Sequence, residues 1–178
     1  MRGWLILVLG LFAMNAAAED FTPRTLEHTG FANVLAESGK ILIAGQPGEN
    51  GLARAKAEGV TRIVNLRTPA EMSARDAPDE AAASKALGLD YVQIPLGGED
   101  APFTPAAVEQ FAEAVESADG KVLLHCRSGR RASYLWAAWL VKYKGVPVHE
   151  AVDLARQVNF GTLPLEELLG KKLTITTE

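Results

Sequence analysis

Apolar positions along the chain come in two alternating kinds of run. Lys40–Pro47 (KILIAGQP), Val60–Arg67 (VTRIVNLR), Leu89–Leu96 (LDYVQIPL) and Lys121–Cys126 (KVLLHC) are short, apolar and mostly β-branched or aliphatic. Each reads as a strand bounded by Gly, Pro or Asp. Between them lie segments with helical spacing. Glu49–Gly59 is one, with Gly59 as its stop. Thr68, Pro69 and Glu71 place a cap, a first-turn proline and a capping-box acid in order, which predicts a helix start. Pro78 interrupts the stretch up to Gly88, and a second helical piece is expected over Asp79–Leu87. Thr104-Pro105 opens another helix, with Val108, Phe111, Ala112 and Val115 on one face. After Arg131, the stretch Ala132–Gly145 is apolar almost all round, which predicts a central helix buried against the sheet, with Trp136 and Trp139 in the core. Val148–Gln157 supplies one more helix, and residues 171–178 carry no pattern. Strands alternating with helices predict an α/β fold: a central mixed or parallel sheet flanked by helices on both faces.

The N-terminus stands apart. Residues 1–18, MRGWLILVLGLFAMNAAA, have one basic residue, an apolar stretch of about a dozen residues and a small-residue end, the layout of a signal peptide cleaved after Ala18. The expectation is a periplasmic or secreted protein, with residues 19–178 forming a single domain and no stable membrane anchor after cleavage. The full chain carries 18 Lys and Arg against 22 Asp and Glu; loss of Arg2 with the signal leaves 17 against 22, a net charge of −5. That balance disfavours nucleic acid as a partner. Against it, Arg127, Arg130 and Arg131 form a local concentration of positive charge suited to a small anion.

Cysteine usage adds a second clue. The sequence holds one cysteine, Cys126, in KVLLHCRSGRRAS. An exported chain with a single thiol cannot use it for an internal disulfide, so it is an inert buried residue, an intermolecular partner or a reactive group. Its position at the carboxyl end of a strand, immediately before a helix, is where ligands sit in such sheets. A strand-to-helix loop points backbone N–H groups and the positive end of a helix dipole at its contents. Gly129 lets such a loop close tightly, and Ser128 adds a hydroxyl donor. The same field favours a thiolate, arranged to attack the central atom of a bound oxyanion.

This loop, with ILIAGQP, GVTRIVNLRTPAE and YVQIPLGGED upstream, resembles the bacterial atypical dual-specificity and tyrosine phosphatase-like proteins. Among them it is similar to the phosphatase-like domain of beta-lactamase-hydrolase-like proteins. The resemblance covers roughly Phe31 to Tyr143. It implies a cysteine-phosphatase-like fold and hydrolysis of a phosphate monoester, on a phosphorylated protein or small molecule, through a phosphocysteine on Cys126. An arginine would clamp the equatorial oxygens, and an acid would protonate the leaving oxygen. Asp100 is the best match for that acid and Glu99 the second, with a solvated loop carboxylate as the alternative for Asp100. His125 is read as an orienter of the loop. Arg127, Ser128, Gly129, Arg130 and Arg131 are the candidate phosphate-binding residues, Arg127 and Arg130 tuning the field or meeting the distal part of the substrate.

The spacing departs from the common pattern of five residues between Cys and Arg. Counted without a gap, Ala132 takes the arginine position and Ser133 the hydroxyl position. With a loop one residue shorter, Arg131 is the clamp, which is preferred because alanine cannot hold phosphate. The shorter spacing, CxxGxR, is also that of rhodanese-type sulfurtransferases, in which the cysteine would carry a persulfide. The ungapped count leaves a third reading, an inactive anion-binding module. No metal or cofactor is expected, since His28, His125 and His149 are scattered and there is no thiol pair.

Overall fold

Each of the four apolar runs becomes a strand in the computed structural model, which describes residues 20–74, 79–159, 161 and 164–173. The expected signal segment and the break at Pro78 lie outside the described residues. β3 (Ile41–Ala44), β4 (Val60–Asn65), β5 (Asp90–Gln93) and β6 (Lys121–His125) pair in parallel in the order β3-β6-β4-β5. Two strands that the hydrophobic pattern does not announce, β1 (Arg24–Thr25) and β2 (Leu35–Ser38), extend the sheet antiparallel beyond β3. The six-stranded sheet is therefore mixed, with the order β1-β2-β3-β6-β4-β5. β1 is two exposed residues, and β2, Leu-Ala-Glu-Ser, has no β-branched residue. Their pairing comes from position beside β3 rather than from propensity.

Both faces of the sheet are covered. On one, Ile43, Val64 and Leu124 pack with α4 (Pro105–Glu116), α5 (Arg130–Tyr143), α6 (Val148–Arg156) and α7 (Leu165–Leu169). On the other, Leu42, Ile63 and Leu123 meet Leu52 and Ala55 of α1 (Glu49–Ala57) and Ala83 of α3 (Glu80–Ala86). Strands buried on both sides need continuous apolar runs, which is why β3 is apolar at all four positions and buried at all of them. α5 is the central helix: Ala132 through Leu140 are buried without a break. Trp139 meets Phe111 edge-on at 5.9 Å and Phe21 at 6.2 Å. Fully buried rings such as Phe111 contribute roughly 2–3 kcal/mol each by leaving water.

Three boundaries differ from the sequence expectation. The capping box at Thr68 forms, with Thr68 N–H donating to Glu71 Oε2 at 2.9 Å and Glu71 N–H to Thr68 Oγ1 at 3.3 Å, but it opens the single turn α2 (Pro69–Met72). α7 is an added helix after Pro164. Arg130 and Arg131 belong to α5 rather than standing before it. Gly129, at φ 87° and ψ −14°, turns the chain within one residue, and the Ser133 N–H already donates to the Gly129 carbonyl at 2.9 Å.

Candidate active site

The last paired row of the parallel strands runs across Ala44, His125, Asn65 and Gln93. Side chains alternate along a strand. His125 therefore shares the α1/α3 face with Leu123, while Cys126, the first loop residue, turns to the α5 face and is 1% exposed. The Cys126 N–H reaches the Ala44 carbonyl at 3.4 Å. Beyond it the loop carbonyls are held from outside: Gln46 N–H donates to Arg127 O at 3.2 Å, and Asn159 Nδ2 donates to Ser128 O at 2.6 Å. Ser133 Oγ lies 2.8 Å from Arg130 O and 2.7 Å from Asn159 O. With the carbonyls turned outward, the amides of Arg127, Ser128, Arg130, Arg131 and Ala132 meet no protein acceptor among the described residues. Donors so gathered at the start of a long helix form an anion cradle.

Gly129 is required at the turn. Besides its positive φ, a Cβ there would lie 2.3 Å from Val34 Cγ1. The sequence reason for this glycine, tight closure of the loop, thus has a specific neighbour behind it.

Arg131 is half-buried and tied in place from three sides. Its Nη1 and Nη2 meet Glu71 Oε2 and Oε1 at 2.8 and 2.7 Å, and Nη1 also donates to Leu96 O at 2.6 Å and Leu66 O at 3.3 Å. Burial opposes its charge, but the Glu71 hydrogen bonds and the attraction of the Cys126 sulfur outweigh this and raise its pKa above the ordinary arginine value. In return the Arg131 hydrogen bonds hold the Glu71 carboxyl down at about 2, against the opposing effect of burial. The guanidinium beside the thiol is thus Arg131. Ala132, the residue that an ungapped count puts in the clamp position, is fully buried in the apolar cluster under the loop.

The remaining sequence candidates lie around this centre. Arg127 and Arg130 are exposed, and neither forms an ion pair among the described residues. Ser128 is partly buried and bridges Gly45. Asp100 and Glu99 are exposed on the turn Gly97–Ala101, closed by Gly97 N–H to Ala101 O at 2.7 Å. Gly97 abuts the Arg131 side chain, where an added Cβ would sit 3.0 Å from Cδ. The turn therefore borders the site, yet neither carboxylate hydrogen-bonds to Cys126 or Arg131.

Sequence reading missed the polar shell beneath the loop. His125 Nε2 lies 2.6 Å from Glu80 Oε1, with both side chains buried, and Gln46 Nε2 donates to Glu80 Oε2. Arg67 Nη1 donates to Gln46 Oε1 at 2.8 Å and its Nη2 to Glu71 O at 2.8 Å. Glu71 carried a signal as the capping-box acid. Gln46 and Arg67 lay unremarked inside the segments that carry the resemblance, and Glu80 and Asn159 carried no signal.

The model of the phosphatase-like domain of beta-lactamase hydrolase-like proteins matches residues 34–141. The beta-lactamase hydrolase-like protein of Xylella fastidiosa (strain Temecula1) is 34% identical over 99 residues, 55% of this chain and 22% of its own length. The chain thus spans about a fifth of the length of the curated relatives it matches. Among solved structures, a DUF442 protein of Shewanella putrefaciens CN-32, assigned to the phosphatases, aligns at a TM-score of 0.62 with 29% identity, over 80% of this chain and 91% of that one. TpbA of P. aeruginosa in complex with phosphotyrosine shares the fold at a TM-score of 0.58 and 16% identity, over 80% of each chain.

Proposed function

The chain belongs to the family of the phosphatase-like domain of beta-lactamase hydrolase-like proteins, and from that premise we propose that it hydrolyses phosphate monoesters with Cys126 as nucleophile. The observation that carries this reading is the loop itself: five amides without an acceptor among the described residues follow a buried thiol, beside an arginine fixed by a carboxylate. In the proposed reaction the phosphoryl oxygens take hydrogen bonds from these amides and from Arg131. The Cys126 thiolate attacks phosphorus, an S–P bond forms, and the ester P–O bond breaks. Asp100, on the turn against Arg131, gives its proton to the departing oxygen. Water then attacks the phosphocysteine, releasing inorganic phosphate and restoring the thiolate. Preorganised donors aimed at the developing charge are the largest contribution such a site can make. The substrate is a phosphorylated protein or small molecule, met outside the cytoplasm if the N-terminal segment acts as an export signal.

One feature favours a second reading, a sulfurtransferase. Four residues separate Cys126 from Arg131, the CxxGxR spacing; against it, persulfide transfer has no use for the acid that Asp100 would supply. Phosphate release from p-nitrophenyl phosphate, set against thiocyanate formation from thiosulfate and cyanide, separates the two. For the phosphatase, Cys126→Ser abolishes phosphate release and keeps phosphate or vanadate binding. Retained turnover removes Cys126 from the mechanism. Wild-type protein that binds vanadate but carries out neither reaction is an inactive anion-binding module.

A further inference from the structure

Behind the cradle, on the face of the sheet opposite α5, lies a pair of ionisable side chains that the reaction does not consume. Glu80 is the first residue of α3, where a carboxylate ordinarily sits in water near the helix N-terminus. Here its side chain is 1% exposed and that of His125 is fully buried. A buried charge persists only when paired and hydrogen-bonded, and Glu80 has both partners: His125 Nε2 on one oxygen and Gln46 Nε2 on the other. The second ring nitrogen, Nδ1, lies 3.4 Å from the carbonyl of Cys126. As a carboxylate, Glu80 only accepts, so Nε2 is the donor to it, and Nδ1 donates to the Cys126 carbonyl only in the ring that carries both protons.

The chain of contacts does not end there. Gln46 holds the cysteine loop by its backbone N–H on Arg127 O, and its side chain joins Glu80 to Arg67. Arg67 in turn holds the Glu71 carbonyl, and the Glu71 carboxylate holds Arg131. Both ends of this path touch the cysteine loop, one at the nucleophile's own carbonyl and the other at the clamp. The charged and titratable groups facing it are Asp79 at the start of α3, Tyr91 of β5, Arg67 after β4, Glu71 of α2, and Cys126 itself.

We infer that Glu80 is a positioning residue for the nucleophile: it fixes His125 by Nε2 so that the Nδ1 edge stays on the Cys126 carbonyl, and through Gln46 and Arg67 it couples that edge to the Glu71–Arg131 clamp. The inference rests on Cys126 as the reactive group but not on which substrate it attacks. Its test therefore reads the thiol directly. Glu80→Gln keeps the shape and turns one accepting oxygen into a donor, so either the His125 or the Gln46 contact is lost. Iodoacetamide alkylation of Cys126 is followed against pH, with mass spectrometric readout. In the variant the half-maximal pH moves up by about 0.5–1, a three- to tenfold loss of reactive thiolate at fixed pH. Turnover falls through kcat with KM nearly unchanged. A wild-type alkylation profile in a folded Glu80→Gln protein overturns the inference. If that variant does not fold, Gln46→Ala at a partly exposed position cuts the link to Arg67 and leaves the His125–Glu80 contact. It gives a smaller shift in the same direction, and an unshifted profile there overturns the inference equally. Altered alkylation without phosphatase activity in the wild type would leave the positioning role standing and remove the phosphatase reading.

Discussion

Replacing Glu71 by glutamine removes the charge that holds Arg131, and the geometry sets its cost. The carboxylate meets both Nη atoms of Arg131 at 2.7 and 2.8 Å and takes the Thr68 N–H at 2.9 Å. Its pKa falls from 4.5 to about 2, chiefly through the Arg131 hydrogen bonds. At about 1.4 kcal/mol per unit such a shift corresponds to about 3 kcal/mol. Glu71 is partly exposed, so solvent screening reduces the stability it contributes to about 1–2 kcal/mol. Glutamine keeps one accepting oxygen but sets an NH2 group against the guanidinium, so one bond of the fork is lost. Because the folded pKa lies below the unfolded one, the contribution is whole above about pH 5 and is lost as pH falls toward 2. Urea unfolding of wild type and Glu71→Gln at pH 7 and pH 3 measures this directly. The variant is expected to be less stable by about 1–2 kcal/mol at pH 7, with a Tm lower by about 3–6 °C, and the gap should narrow at pH 3. With the clamp free to swing, kcat on an aryl phosphate should fall by about 10- to 100-fold. Equal stability at pH 7, or a gap of the same size at both pH values, would refute the assignment of Glu71 as the carboxylate that fixes Arg131.

Two further substitutions probe the loop and its rim. Gly129→Ala combines a left-handed backbone with a Cβ placed 2.3 Å from Val34 Cγ1; a loss of about 2–4 kcal/mol in urea unfolding is expected, and an unchanged midpoint would show that the turn tolerates a side chain. Asp100→Asn is expected to slow alkyl phosphates by about 10²- to 10⁴-fold while sparing aryl phosphates with good leaving groups; equal loss on both would argue against an acid role for Asp100.

What could be read from the sequence was what local pattern encodes. β3 and β6 are apolar at successive positions because both of their faces are covered, and α4 and α5 show the spacing of helices that bury one face or all of it. β2 had no such mark: Leu35–Ser38 is buried by its neighbour rather than by its own composition. The cysteine loop was legible because the thiol, the glycine and the arginines are contiguous. Its supports are not. Glu71 and Arg131 are 60 positions apart, Glu80 and His125 are 45 apart, and Asn159 meets Ser128 across 31. Glu80 carried no mark in the sequence, since an acid in a first helical turn is ordinarily solvated, and here the fold sets a histidine over it. Arg131 was preferred to Ala132 as the clamp, and the fold sets its guanidinium against Glu71 while Ala132 lies in the core; the helix boundary was drawn two residues late, because the turn at Gly129 is sharper than arginines before an apolar run suggest.

The pairing of Arg131 with Glu71 divides labour among the three arginines of the loop. A guanidinium already neutralised by a carboxylate at 2.7 Å projects little field into solvent. Its effect is felt only on contact. Arg127 and Arg130, exposed and without ion pairs among the described residues, carry the field that reaches outward from an acidic surface. That field fades over a Debye length of about 8 Å at physiological salt. Under the proposed function, capture of an anion at a distance and retention of it in the loop would fall to different residues, and ionic strength would act on the first while leaving the second almost untouched.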